Sequence, residues 1–162
     1  MIKYKLQPFC LLLLVGAINA TPISGVFPVS TTIHGNQNSD SLSITADKYS
    51  HLAIYNFSEQ TFNDLTIEFS VSSPEATSIN SYETTLVEAR HKCAERVTNV
   101  EHYLDGDLME KSIAGKRIEF PPAKDGVRSS EHQLLLSFPI ISQTLEQQSC
   151  SGLVSISVEL VI

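Results

Sequence analysis

The residues of this 162-residue chain that could do chemistry are its histidines, its cysteines and one pair of aspartates. No two histidines have the H-x-x-x-H spacing, and no two cysteines have the C-x-x-C spacing, through which neighbouring side chains bind one metal ion. The nearest approach to a metal pair is His91 with Cys93, and two ligands without others make a weak site. We therefore expect no metal and no cofactor, and histidines that are at the surface or lightly buried. The five histidines are His34, His51, His91, His102 and His132.

Catalytic motifs are also missing from the sequence. Asp105 and Asp107 flank Gly106 and could begin a calcium loop, but the downstream carboxylate that such a loop needs is not there, so we expect an acidic turn. The sequence contains no G-x-S-x-G, no phosphate-binding loop and no H-E-x-x-H. These observations predict that the protein is not an enzyme.

The first twenty residues predict export. Lys3 and Lys5 precede an apolar run at residues 8–17, and Ala20 offers a small residue for cleavage, which is the pattern of a secretory signal peptide. The apolar run is too short to be a permanent membrane helix. Removing this leader takes two of the 11 basic residues and none of the 18 acidic ones, which leaves a net charge of −9. Such an acidic chain is a poor partner for nucleic acid or for an anionic lipid surface.

Two cysteines remain after the leader, which contains Cys10. In an exported chain, Cys93 and Cys150 most simply form one disulfide. The alternative is a catalytic thiol, but no Cys/His arrangement supports it. Closing a loop of this length would stabilise the fold by about 4 kcal/mol in the chain-entropy model.

The elements that must position these residues are β-strands. Apolar and polar residues alternate with a period of two, which is the pattern of strands with one buried face. Residues 84–94 could instead form a short helix. Seven or eight strands separated by turn signals predict an all-β sandwich. The expected strands cover residues 41–47, 51–57, 62–71, 81–87, 96–104, 113–120, 132–141 and 152–162.

One more strand pattern lies close to the predicted cleavage site, ahead of a flexible linker at residues 35–40. The last strand, in contrast, runs to the final residue with five apolar positions on one face and no later strand to pair with. An uncovered apolar edge strand is an aggregation hazard. The sequence therefore favours an incomplete immunoglobulin-like β-sandwich that lacks its last strand, with a displaced strand at its N-terminus. The alternating residues of that strand are Phe27, Val29, Thr31 and Ile33.

Two motifs carry a resemblance to a known family. The segment FPVSTTI at residues 27–33 is similar to the donor segment of bacterial chaperone–usher surface polymers of the colonisation-factor, or coli surface antigen, type. The ending SGLVSISVELVI is similar to the terminal strands of such pilins, and the leader fits as well. In this family an N-terminal donor strand completes the sheet of a neighbouring subunit, a form of β-strand addition.

The resemblance implies partners and a place. Such a subunit is exported to the periplasm, held by a chaperone, passed to an outer-membrane usher, and joined to neighbouring subunits at the bacterial cell surface. It implies attachment to a host-surface receptor, whose identity the sequence does not give. The donor residues would be Ile23, Phe27, Val29, Thr31 and Ile33, and the acceptor groove, also the chaperone contact, would be lined by Val154, Ile156, Val158, Leu160 and Ile162.

The expected organisation is a signal peptide at 1–20, a donor strand and tether at 21–40, and a pilin-like sandwich at 41–162. In an isolated subunit, the donor strand should then project from its domain or be disordered. The alternative is a self-contained secreted β-sandwich that binds a ligand, with residues 23–33 as its own first strand. The two hypotheses differ in where this strand lies.

Overall fold

The computed structural model describes residues 26–35, 42–74, 80–113, 115–142 and 148–161, and in the first of these segments it describes the side chains of residues 28–31. All the regular secondary structure in these ranges is β-strand. No helix long and apolar enough to cross a membrane occurs among them. The strands are β1 (Val26–Gly35), β2 (Ser43–Ala46), β3 (Ser50–Asn56), β4 (Thr61–Phe62), β5 (Leu65–Pro74), β6 (Ser81–Cys93), β7 (Arg96–Val97), β8 (Glu101–Leu104), β9 (Asp107–Leu108), β10 (Arg117–Glu119), β11 (Val127–Ser137) and β12 (Cys150–Leu160).

These strands form two sheets. The first has the order β10-β6-β12-β1-β3-β4, with β7 also paired to β6, and the second has the order β2-β5-β11-β8-β9. Their inward side chains make one apolar core, so the prediction of an all-β sandwich is confirmed. Completely buried members of the core include Ile67, Leu134, Leu136, Val154, Ile156 and Val158.

The second sheet follows the period-two pattern closely. β5 and β11 pair antiparallel with Ile67 opposite Leu134, and both side chains are completely buried. Their neighbours Glu68 and Gln133, which are also opposite each other, are exposed. Because cross-strand partners share a face of the sheet, a single register buries the apolar set of both strands.

Residues 84–94, for which the sequence leaves a helix open, belong almost entirely to β6. This 13-residue strand pairs antiparallel with β12, from Cys93 opposite Cys150 to Tyr82 opposite Leu160. A bulge opposite Ser155 and Ile156 leaves Val87 without a Cα partner. Pairing with the long apolar strand β12 decides the outcome, since the helical tendency of a short segment is weak beside tertiary packing.

Two expected strands are shorter or divided in the structure. Residues 96–104 form β7 and β8 with a gap between them, and residues 113–120 contribute only β10. Between β8 and β9, Asp105 and Gly106 both have positive φ, 51° and 89°, which makes the two-residue turn of a tight hairpin. The Asp-Gly-Asp motif is thus an acidic turn, as the sequence indicates.

Candidate functional site

The candidate site is the groove between β12 and β3, which β1 fills. β1 runs parallel to β12, with Thr31 beside Val154 and Ile33 beside Ile156, and antiparallel to β3. Without β1 the first sheet would divide into two parts, one containing β12 and the other β3. A strand in this place therefore completes the fold.

The buried face of β1 is the one that alternation indicates. Val29 is 0% and Thr31 is 2% exposed, whereas Pro28 and Ser30 between them are exposed. Pro28 lacks an amide hydrogen, and in this register it pairs with Leu52 of β3. Phe27 and Ile33 occupy the same alternating positions of the backbone, but their side chains are outside the described ones, and Ile23 is outside the described residues.

β12 contributes one wall of the groove. Val154, Ile156 and Val158 are completely buried, and Leu160 is half-buried. Ile162 lies outside the described residues. At the opposite end of the groove, Gly152 lies beside Val29.

The second wall of the groove was not identified from the sequence. It is β3, which presents Ala53 and Tyr55 to the core and keeps Leu52 and Ile54 at the surface. The Tyr55 hydroxyl donates a hydrogen bond of 2.6 Å to the Ile141 carbonyl. Alternation of residues 53 and 55 is the signal for this wall, but the larger apolar side chains on the outer face obscure it.

The expectation that the strand projects from an isolated chain is wrong for this structure. Residues 26–35 lie inside their own sheet and pair on both sides. The physical reason is that the facing edges of β12 and β3 would otherwise leave backbone groups unpaired and apolar side chains in water. In the absence of a neighbour, the chain's own strand satisfies both.

The fit of β1 in its own groove leaves one polar group unsatisfied. The Thr31 hydroxyl is buried and has no hydrogen-bond partner among the described residues. A buried hydroxyl without a partner costs about 1–3 kcal/mol. In addition, the longer of the two ladders of β1 is the parallel one, which is slightly less stable per residue than an antiparallel ladder.

The predicted disulfide is confirmed. Cys93 at the end of β6 is bonded to Cys150 at the start of β12, with a Cα–Cα distance of 4.0 Å, and both residues are buried. The bond closes a sequence separation of 57 residues. It joins the two strands at one end of the groove wall and so holds β12 against β6.

Three of the four histidines whose side chains the structure describes are buried, which corrects the expectation of surface or lightly buried side chains. His132 lies between Tyr82 of the other sheet and Asp105 in the β8–β9 turn. Its Nε2 is 2.5 Å from the Tyr82 hydroxyl, and its Nδ1 is 2.7 Å from the Asp105 carboxylate. Burial raises the pKa of the Tyr82 hydroxyl. This chain of hydrogen bonds joins the two sheets through their interior.

The other two buried histidines contact each other. His91 of β6 and His102 of β8 come from different sheets, and their Nε2 atoms are 2.9 Å apart. Burial lowers the pKa of each imidazole to about 4, and the neighbouring His102 contributes to the shift at His91. Both rings are therefore neutral at pH 7, and one donates the shared hydrogen bond while the other accepts it.

Comparison with known proteins adds a structural similarity. No family model matches the sequence, and no curated protein matches it. Among solved structures, the fold is similar to the CooA pilin subunit from enterotoxigenic Escherichia coli, with a TM-score of 0.44 and 11% sequence identity over 72% of this chain and 97% of that chain.

Proposed function

We propose that this protein is a structural and adhesive subunit of a bacterial surface polymer of the chaperone–usher type, in which residues 26–35 of one subunit fill the groove of the next. The observation that carries the proposal is the position of β1. This strand precedes all the others in the described chain, yet it lies in the middle of a sheet between β12 and β3.

The groove must be filled by a strand, but that strand can come from another copy of the chain. Val154 and Ile156 of β12 and Ala53 of β3 are buried in a core that includes Val29 of β1. Covering such side chains contributes about 1.5–3 kcal/mol for each large one. Any extended segment with the same alternation supplies that contribution and the ladder hydrogen bonds, which is the physical basis of β-strand addition.

The connection to β2 permits the strand to leave. Residues 36–40 are Asn, Gln, Asn, Ser and Asp, with no apolar residue that would hold the segment to the core. A strand arriving from a neighbour is free of this connection and can enter in the opposite direction. It would then form an antiparallel ladder with β12 and a parallel ladder with β3, so that the longer of the two ladders is of the more stable kind.

The unsatisfied Thr31 hydroxyl supports the same conclusion. It lowers the stability of β1 in its own groove, so that the strand leaves the groove at a smaller cost in free energy, and exchange requires that step. During export a periplasmic chaperone would occupy the groove, an outer-membrane usher would exchange it for the next subunit, and the polymer at the cell surface would contact the host.

A second candidate is a self-contained secreted β-sandwich that binds a ligand. One observation favours it, which is that β1 pairs on both sides within its own sheet. In that case β1 is an ordinary core strand, and it leaves the sheet only when the whole domain unfolds.

Cutting the chain after folding tests the proposal. A protease site introduced within residues 36–40 is cleaved in the purified protein, and a labelled peptide of residues 21–35 is then added in excess. We expect the labelled peptide to replace the original strand under native conditions, one per domain. A peptide with Ser30→Asn should also enter, because Ser30 is exposed, whereas one with Val29→Asn should enter at least tenfold less well. If the strand exchanges only at the rate of global unfolding, the second candidate is correct.

A further inference from the structure

The interior of the sandwich contains a pair of facing imidazoles beside a cavity. His91 is 5% and His102 is 4% exposed, and both line a cavity of about 700 Å³ near the Cys93–Cys150 end of the sheet. Their rings are tilted by 30° with centroids 5.0 Å apart. The two histidines are thus held together by the packing of two different sheets, and the cavity gives small solutes access to them.

Imidazole is a common metal ligand. A metal binds the ring nitrogen that carries the free lone pair of the neutral form. The Nε2 atoms are 2.9 Å apart, so the two nitrogens face each other across the space between the rings.

A methionine is adjacent to His102 in the fold. The amide of Met109 donates a hydrogen bond of 2.8 Å to the His102 carbonyl, and the preceding pair in the hairpin is Leu108 with Tyr103. Met109 is therefore the cross-strand neighbour of His102, and directly opposed residues project from the same face with Cβ atoms about 5 Å apart. Met109 also lines the same cavity. The other methionine of the chain is Met1.

We propose that His91, His102 and Met109 form a binding site for a soft monovalent metal ion, Cu(I) or Ag(I). Imidazole and thioether are the ligands that such an ion prefers. With metal–nitrogen bonds of about 2.0 Å in a three-coordinate site, the two Nε2 atoms would be about 3.5 Å apart, so the pair must open by about 0.6 Å. The proton of the shared hydrogen bond moves to Nδ1 of its own ring, each imidazole stays neutral, and no proton is released.

The positive charges around the cavity and the small number of ligands favour a soft monovalent ion over zinc. Structural zinc takes four ligands, and nowhere in the described part of the chain do three or more His, Cys, Asp or Glu side chains come together as a metal site. The same cavity is lined by Lys92, Lys111 and Arg90, the last paired with Glu88. Neighbouring cations repel a divalent ion about twice as strongly as a monovalent one.

Titration of the purified chain with Ag(I), with its disulfide intact, tests the proposal. Native mass spectrometry counts the bound ions, and nitrogen NMR of the imidazoles reports which rings bind. We expect one ion per chain, with the Nε2 signals of both His91 and His102 shifted. The variant Met109→Leu, which keeps the side-chain volume, should bind at least tenfold more weakly. The control His51→Gln should bind as the wild type does, because His51 lies at the surface and contacts the Lys48 carbonyl.

The wild-type NMR measurement keeps the proposal falsifiable even if a variant fails to fold. Absence of a shift at His91 and His102 under Ag(I), or a shift confined to other histidines, overturns it. Unchanged affinity in Met109→Leu overturns the assignment of the sulfur ligand. Equal binding of Zn(II) at the two rings overturns the assignment to a soft monovalent ion.

Discussion

Val29 of β1 lies directly beside Gly152 of β12, and the valine side chain is completely buried. Neighbours in a sheet share a face, and glycine has no side chain, so β12 leaves the space at this position to the valine. The pair is at the end of the groove where the disulfide joins β12 to β6. We regard Val29 as the residue that anchors the strand in the groove.

Replacing this anchor should weaken the fold. In Val29→Asn an apolar side chain is lost and an amide is buried in its place, so we expect the free energy of unfolding to fall by about 3 kcal/mol. Denaturation by urea measures this change. Ser30→Asn introduces the same side chain one position along, on the exposed face, and should change the stability by less than about 0.5 kcal/mol. Equal effects of the two substitutions would show that the described orientation of β1 is incorrect.

Removing the unsatisfied hydroxyl should stabilise the self-filled state. Thr31→Val keeps the shape of the side chain and removes a buried polar atom that has no partner among the described residues, which should raise the free energy of unfolding by about 1 kcal/mol. The same substitution should slow replacement of the strand by the labelled peptide.

Thr84 provides the matched control for this prediction. Its hydroxyl is likewise buried without a partner within the described ranges, but it belongs to β6, away from the groove strand. Thr84→Val should therefore stabilise the domain by a similar amount without slowing the exchange of β1. Similar slowing in both variants would mean that exchange proceeds through global unfolding.

The paired histidines predict a loss of stability in mild acid. His91 and His102 have pKa values of about 4 in the folded protein, against an ordinary value of 6.5. Between these two values the unfolded chain binds more protons than the folded one, so the free energy of unfolding falls as the pH falls from about 6.5 towards 4. We expect a loss of about 4 kcal/mol from the two together by pH 4.5.

Urea denaturation at a series of pH values measures this dependence. His102→Gln should lower it by about half, because one of the two buried imidazoles is removed. A stability that is constant between pH 7 and 4.5 would contradict the burial of the pair.

Reduction of the disulfide should destabilise the domain. In the chain-entropy model, a loop that spans 57 residues contributes about 4 kcal/mol. The variant with Cys93→Ser and Cys150→Ser should therefore unfold at a lower urea concentration, while thiol labelling of the denatured, unreduced wild type should find no free thiol after removal of the leader. Two free thiols per chain would exclude the bond.

Much of the fold could be predicted from the sequence because the long strands alternate cleanly. The buried positions of β5, β11 and β12 follow the period of two, and the same pattern identified Val29 and Thr31. Strands of only two residues could not be predicted, because so short a segment shows no periodicity; these are β4, β7 and β9.

The parts of the site that were missed depend on tertiary contacts. In β3 the larger apolar residues Leu52 and Ile54 are exposed, and only pairing with β1 decides that Ala53 faces the core. His91 and His102 are eleven positions apart and come from different sheets, so no local spacing could predict their contact. The prediction that β1 projects from an isolated chain was wrong. It assumed that only a neighbour's strand could cover the two open edges, but the chain's own strand covers them as well.

The stoichiometry of peptide binding decides whether β1 leaves its own groove for that of a neighbour. Concentrated full-length protein is separated by size, and each oligomer is mixed with a peptide of residues 21–35 and weighed by native mass spectrometry. In a linear chain of exchanged strands, only the first subunit has an empty groove. We expect one bound peptide per oligomer, whatever its length, and no oligomers of the variant Val29→Asn. A protein that stays monomeric at every concentration and binds no peptide, or oligomers that bind none, would contradict this expectation.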